Sequence, residues 1–169
     1  MSKYTFWMIV ITFILSGIIE GVEASTCPTH SVEQQKLIKK AYNHGLPHDL
    51  GYTLAAIAIQ ESFVGKHIVR LNNKDGKYGS YGVTHILLET AMYLEGYSNT
   101  WRARAELVPK LIGSDEYSMD LSISKLNRHK ERGWIGMVRK YNGVGKDAIT
   151  YGDKVTKHVS MLKKCYIFH

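Results

Sequence analysis

Cysteine and proline are scarce in this 169-residue chain, which has two of the first and three of the second. The cysteines, Cys27 and Cys165, form no C-x-x-C pair, and no local Cys/His cluster has the spacing of a four-ligand zinc site, so no metal is expected. His44 and His48 are separated by Gly45 and Pro47 and do not share a helix face. The chain also lacks a Lys/Arg block, an Arg-rich helix and an aromatic-basic ribonucleoprotein motif, which argues against a nucleic-acid partner despite a net charge of +7. No internal repeat or linker is visible, and a long apolar run occurs only at the N-terminus.

What remains is an ordinary globular composition, 44% hydrophobic and 22% charged, in a length that suits one compact domain. Lys3, the apolar run from Tyr4 to Ile19 and the small-residue site Val22-Glu23-Ala24 read as a signal peptide over residues 1–24, or as a signal anchor if uncleaved. Either reading places residues 25–169 outside the cytoplasm, in touch with a membrane only through an uncleaved segment. Removing Lys3, Glu20 and Glu23 raises the net charge from +7 to +8. The basic residues are spread along the chain, a pattern that fits long-range attraction to an anionic surface and equally a solvated basic face. In an exported chain, an even cysteine count suggests a Cys27–Cys165 disulfide, the alternative being two unpaired thiols.

The pattern of elements is mostly α. Ser31-Val32-Glu33-Gln34 has the form of a capping box, predicting a helix over 31–44 that stops at Gly45. Asp49 is the expected cap of a second helix, with Leu50, Leu54, Ile57, Ala58 and Glu61 on one face. From Lys66 to Tyr81 the periodicity fails around Asn72-Asn73-Lys74-Asp75-Gly76, predicting a loop or short hairpin. Helical pattern resumes over 84–94, and further helices are expected around 99–108, 115–131, 133–141 and 151–164, punctuated by Pro109 and several glycines.

Glu61 is the leading candidate for chemistry. A glutamate ending an apolar helix is more often capped or solvated than catalytic. Here, however, it follows Ala55-Ala56-Ile57-Ala58-Ile59, a run that would desolvate the carboxyl as a general acid requires. Glu61-Ser62 is followed by Gly82-Val83-Thr84-His85-Ile86, then Lys140-Tyr141-Asn142-Gly143, then Tyr151. In order and spacing these motifs resemble those of the lytic transglycosylases of the lysozyme-like superfamily: Glu-Ser at a helix end, a loop leading to G-L-M-Q-I, A-Y-N-x-G and a downstream tyrosine. Ser80-Tyr81-Gly82 after a polar loop looks like the small transglycosylases of secretion systems and phage virions. The resemblance spans roughly residues 31–164.

It implies a mostly α, lysozyme-like single domain with a loop or short hairpin after the catalytic helix. It also implies cleavage of the β-1,4 bond between N-acetylmuramic acid and N-acetylglucosamine, with no cofactor. Glu61 would be the general acid and base, giving 1,6-anhydromuramoyl ends. Ser62, Gly82, His85, Tyr141, Asn142 and Tyr151 would form the substrate site, with the Tyr141 hydroxyl beside the glutamate. Ser62 could instead satisfy only the backbone. His85 replaces the family's glutamine and is either a substitute hydrogen-bond donor or an ordinary helix-start residue; Thr84 replaces its methionine, and Lys140 the alanine before Tyr-Asn. Tyr93, Tyr97 and Trp101 are candidates for sugar stacking, while Trp134 reads as core; Tyr4 and Trp7 fall in the targeting segment. The expected partners are peptidoglycan glycan strands, with secretion-system or virion components as assembly partners, for a monomer in the periplasm, outside the cell or on a virion. A hydrolysing lysozyme of the same fold would need a second carboxylate, for which Asp75 is nearest in sequence. A non-catalytic wall-binding or assembly protein is the alternative from another class.

Overall fold

The computed structural model describes residues 27–71 and 79–168. The targeting segment 1–24, with Tyr4 and Trp7, and the loop carrying Asp75 lie outside the described residues. Among the described residues, seven α-helices and a small antiparallel sheet surround one hydrophobic core. Helix α1 (Val32–Gly45) opens with the expected capping box, in which the Gln34 amide donates to Ser31 Oγ at 3.2 Å and the Ser31 amide to Gln34 Oε1 at 3.0 Å. A 3-10 turn (Leu46–His48) then leads into α2 (Gly51–Ser62). Asp49 does not cap α2: it sits in the left-handed region at φ 59° and closes the 3-10 turn, while Leu50 takes the cap position without a side-chain bond. The turn's own backbone bonds hold this corner, Asp49 to Leu46 at 3.1 Å and Leu50 to Gly45 at 2.9 Å.

Every residue of α2 from Thr53 to Ile59 is buried. An apolar helix without a polar face belongs at the centre of a domain, and α2 packs there against α1 and α7, its alanines permitting close approach. The chain leaves α2 through three consecutive left-handed residues, Phe63, Val64 and Gly65, with the Val64 amide donating back to the Ala58 carbonyl at 3.1 Å. Left-handed backbone at a β-branched residue is rare and costly, and here it adjoins Glu61.

The polar stretch forms the hairpin expected there, β1 (Val69–Leu71) pairing antiparallel with β2 (Gly79–Tyr81). The expected helix over 84–94 begins later. Residues 86–87 add a third strand, β3 (Ile86–Leu87), with Ser80 opposite Leu87 and Tyr81 opposite Ile86, and α3 covers only Leu88–Leu94. Positive φ at Gly82 and His85 bends the intervening turn and delays the helix. Helix α4 (Trp101–Gly113) runs through Pro109 rather than stopping before it, anchored by buried Ala103, Leu107 and Leu111. Interior proline costs a helix about 3 kcal/mol, which such burial can offset. Helix α5 (Asp115–Asn127) ends before a second 3-10 turn (Lys130–Arg132), not at 131; α6 (Gly133–Tyr141) follows. Helix α7 (Lys146–Cys165) starts directly after Gly145, five residues before the expected 151. Cys27 and Cys165 are disulfide-bonded, tying the start of the described chain to the end of α7.

Candidate active site

Glu61, one residue from the end of α2, opens onto a cleft of about 760 Å³. The hairpin supplies one wall through Arg70, Leu71 and Ser80, α5 contributes Lys125, and the α6–α7 turn supplies Lys140, Tyr141, Asn142, Val144 and Asp147. The Glu61 side chain is 8% exposed. Leu71 and Val144 stand largely exposed on the same cleft and offer apolar contact. A separate hollow of about 600 Å³ near Leu37 and Phe63 contains none of the expected site residues.

His85 joins Glu61 directly. Its Nδ1 lies 3.4 Å from Glu61 Oε2, and its Nε2 lies 2.5 Å from the His67 carbonyl oxygen. A carbonyl only accepts, so Nε2 carries the hydrogen. The left-handed turn at His85, φ 48°, aims the ring at the glutamate. His85 is thus not a helix-start residue, since the next helix begins only at Leu88.

The two tyrosines divide their roles. The Tyr141 hydroxyl does not bond Glu61. It donates to the Thr84 carbonyl at 2.7 Å and lies 2.8 Å from Ser122 Oγ, within a buried network that joins Thr84 Oγ1 to Ser118 Oγ at 2.6 Å and to Ser122 Oγ at 2.7 Å. Burial, then the nearby Glu61 charge, pushes the Tyr141 hydroxyl well above the usual phenol range. Tyr151 stacks behind it, ring centroids 6.1 Å apart. Its buried hydroxyl lies beside the Glu61 carboxylate without a hydrogen bond of ordinary geometry, and burial, then the Glu61 charge, raises its pKa strongly. Lys125 extends over the Tyr141 ring, Nζ 4.3 Å from the centroid. Desolvation lowers its pKa, partly offset by the negative charge of Glu61.

Among the residues expected from the sequence, Glu61, His85, Tyr141 and Asn142 line the cleft, and Tyr151 backs it. Ser62 and Gly82 do not line it. Ser62 is fully buried, donating to the Ala58 carbonyl at 3.1 Å and accepting from the Gly65 amide at 2.7 Å, so it fixes the exit of α2. Gly82, at φ 81°, packs so closely that a Cβ would come within 2.6 Å of the Leu111 carbonyl oxygen. None of Tyr93, Tyr97, Trp101 and Trp134 lines the cleft. Trp134 instead donates its indole N–H to Thr53 Oγ1 at 2.9 Å and is 38% exposed, so it ties α6 to α2 from outside the core. Arg70, Lys125 and Asp147 were not anticipated; no motif marks them, and only the folding of β1, α5 and α7 around α2 brings them together.

Among the described residues no group of three His, Cys, Asp or Glu side chains is placed to hold a metal ion. Comparison with protein-family models, with curated proteins and with solved structures gives no match to this chain.

Proposed function

We propose that the protein is an exported lytic transglycosylase of the lysozyme-like kind, cleaving the β-1,4 bond between N-acetylmuramic acid and N-acetylglucosamine with Glu61 as its acid and base. The observation that carries this reading is a desolvated carboxyl at the wall of a cleft that also gathers His85, Tyr141 and Asn142 from distant motifs. Arg70, Lys125 and Lys140 make the cleft attractive to a carboxylate-bearing glycan. The disulfide suits an oxidising, exported setting; no helix among the described residues is long and apolar enough to cross a membrane.

In the proposed reaction, protonated Glu61 gives its proton to the glycosidic oxygen as the bond to the muramoyl C1 breaks. The C6 hydroxyl oxygen of the same sugar then bonds C1, and its proton passes to the Glu61 carboxylate, restoring the acid. Intramolecular attack from a held geometry can supply about 7–11 kcal/mol of the barrier reduction.

Asp147 favours a second reading. It lies on the same cleft and replaces Asp75 as the carboxylate to consider for a hydrolysing lysozyme that activates water. Clearing of a cell-wall suspension tests both readings. Glu61→Gln should stay folded and lose on the order of 10²–10⁴-fold in rate, whereas clearing at the wild-type rate would remove Glu61 from the mechanism.

A further inference from the structure

The contact between His85 and Glu61 has a consequence for where the acid proton resides. Both side chains are nearly buried, 3% and 8% exposed. The His85 ring is held at one end by its short bond to the His67 carbonyl, which requires hydrogen on Nε2. Nδ1 then faces Glu61 Oε2 at 3.4 Å and is buried with no completed hydrogen bond, Glu61 included. A bare imidazole nitrogen facing a bare carboxylate would set two acceptors against each other out of water, which is costly. One proton placed between them, on either atom, turns the contact into an attraction.

We propose that His85 is a positioning residue for Glu61: its ring, fixed by Nε2–H donation to the His67 carbonyl, presents Nδ1 to Oε2 and shares with the carboxyl the proton destined for the leaving oxygen. Oε2 is thereby held toward the ring, leaving Oε1 for the substrate. When Glu61 hands over its proton, Nδ1 faces a carboxylate, and the proton from the C6 hydroxyl returns the pair to its starting state. No oxidant or further reactant is involved. The inference rests on Glu61 being the acid and base.

The other charged or titratable groups around the pair are Arg70 from β1, Lys125 from α5, Lys140 from α6, and Asp147 and Tyr151 from α7. None is a histidine. The exposed His67 ring is the other imidazole nearby, and a His67→Gln control separates it, since only its backbone carbonyl enters the proposal.

Two substitutions divide the ring's functions. Glutamine can reach the His67 carbonyl in place of Nε2 but offers nothing at the Nδ1 position. Asparagine places its amide where Nδ1 stands and tolerates the left-handed backbone of residue 85. His85→Gln should lower kcat on wall glycan on the order of 10²-fold, as misorientation of a reacting group does, with KM little changed. His85→Asn should recover part of that loss. His67→Gln, which keeps the backbone carbonyl, should leave kcat unchanged. Wild-type kcat in both His85 variants would overturn the proposal, as would a loss in His85→Gln that His85→Asn does not recover at all. So would a ¹⁵N spectrum of the wild-type protein showing the His85 hydrogen on Nδ1 with Nε2 bare, a readout that needs neither activity nor a foldable variant. If the wild type leaves wall glycan intact, the functional reading fails by itself; if Glu61→Gln is inactive while both His85 variants are normal, only the role of His85 fails.

Discussion

Two tyrosine hydroxyls lie near Glu61, and the structure gives them different work. Tyr141 Oη belongs to the buried network with Thr84 and Ser122. Tyr141→Phe removes the donor from a buried carbonyl, so it should cost about 1–3 kcal/mol of stability, seen as a lowered denaturation midpoint, while the folded fraction turns over nearly as before. Tyr151 Oη has no such partner and faces the carboxylate. Catalytic hydrogen bonds often tighten only once substrate is bound. Tyr151→Phe should therefore keep its stability yet lose roughly 1.5–3 kcal/mol of charged hydrogen bonding, about 10- to 100-fold in rate. The reverse pattern, Tyr141 affecting rate and Tyr151 affecting stability, would exchange the two assignments. Glu61 was legible in the sequence because helix position, apolar surroundings and motif coincide on it. The bond from His85 to a backbone carbonyl was not, since it depends on a left-handed turn that no local pattern announces. The commitment of Ser62 to Ala58 and Gly65 was open as one of two readings and becomes definite only with the backbone in view.

At the scale of elements, the site depends on two irregular joints. One is the left-handed exit from α2, where Ser62 bridges Ala58 and Gly65. The other is the turn from Gly82 to His85 between β2 and β3, which rests on α4 and α5 through Gly82 and Thr84. Gly82→Ala would place a Cβ at a positive φ and within 2.6 Å of the Leu111 carbonyl oxygen. It should destabilise by at least about 1–3 kcal/mol, measurable in urea; an unchanged midpoint would show that α4 can withdraw at little cost. Helix α1 was readable because its capping box and periodicity agree, and the shorter α6, which has no side-chain cap, because Gly133 marks its start. The start of α3 was not, because Ile86 and Leu87 fit a helical pattern but are claimed by pairing with Tyr81 and Ser80. Pro109 misled for a related reason: burial of Leu107 and Leu111 outweighs a local preference.

Across the whole molecule, one covalent link and one field matter most. The Cys27–Cys165 bridge closes a sequence separation of 138 residues, and its reduction should lower stability by up to about 4–5 kcal/mol in the chain-entropy model. Thiol alkylation with and without reductant, read by intact mass beside a melting curve, checks both the bond and its effect; a reduced protein that melts unchanged would show that the ends are held by packing, such as the stacking of Phe168 on Tyr42. The net charge of +7 would draw the protein toward an anionic wall, and added salt should weaken that attraction. The central claim is that Glu61 alone serves as acid and base, with the substrate's own hydroxyl as nucleophile. Mass spectrometry of the fragments released from purified sacculi tests it most directly. The account predicts muramic acid ends lighter than reducing ends by one water and resistant to borohydride, absent when Glu61→Gln replaces the wild type. Ends that are all reducible would contradict it and direct attention to Asp147 as a hydrolytic base.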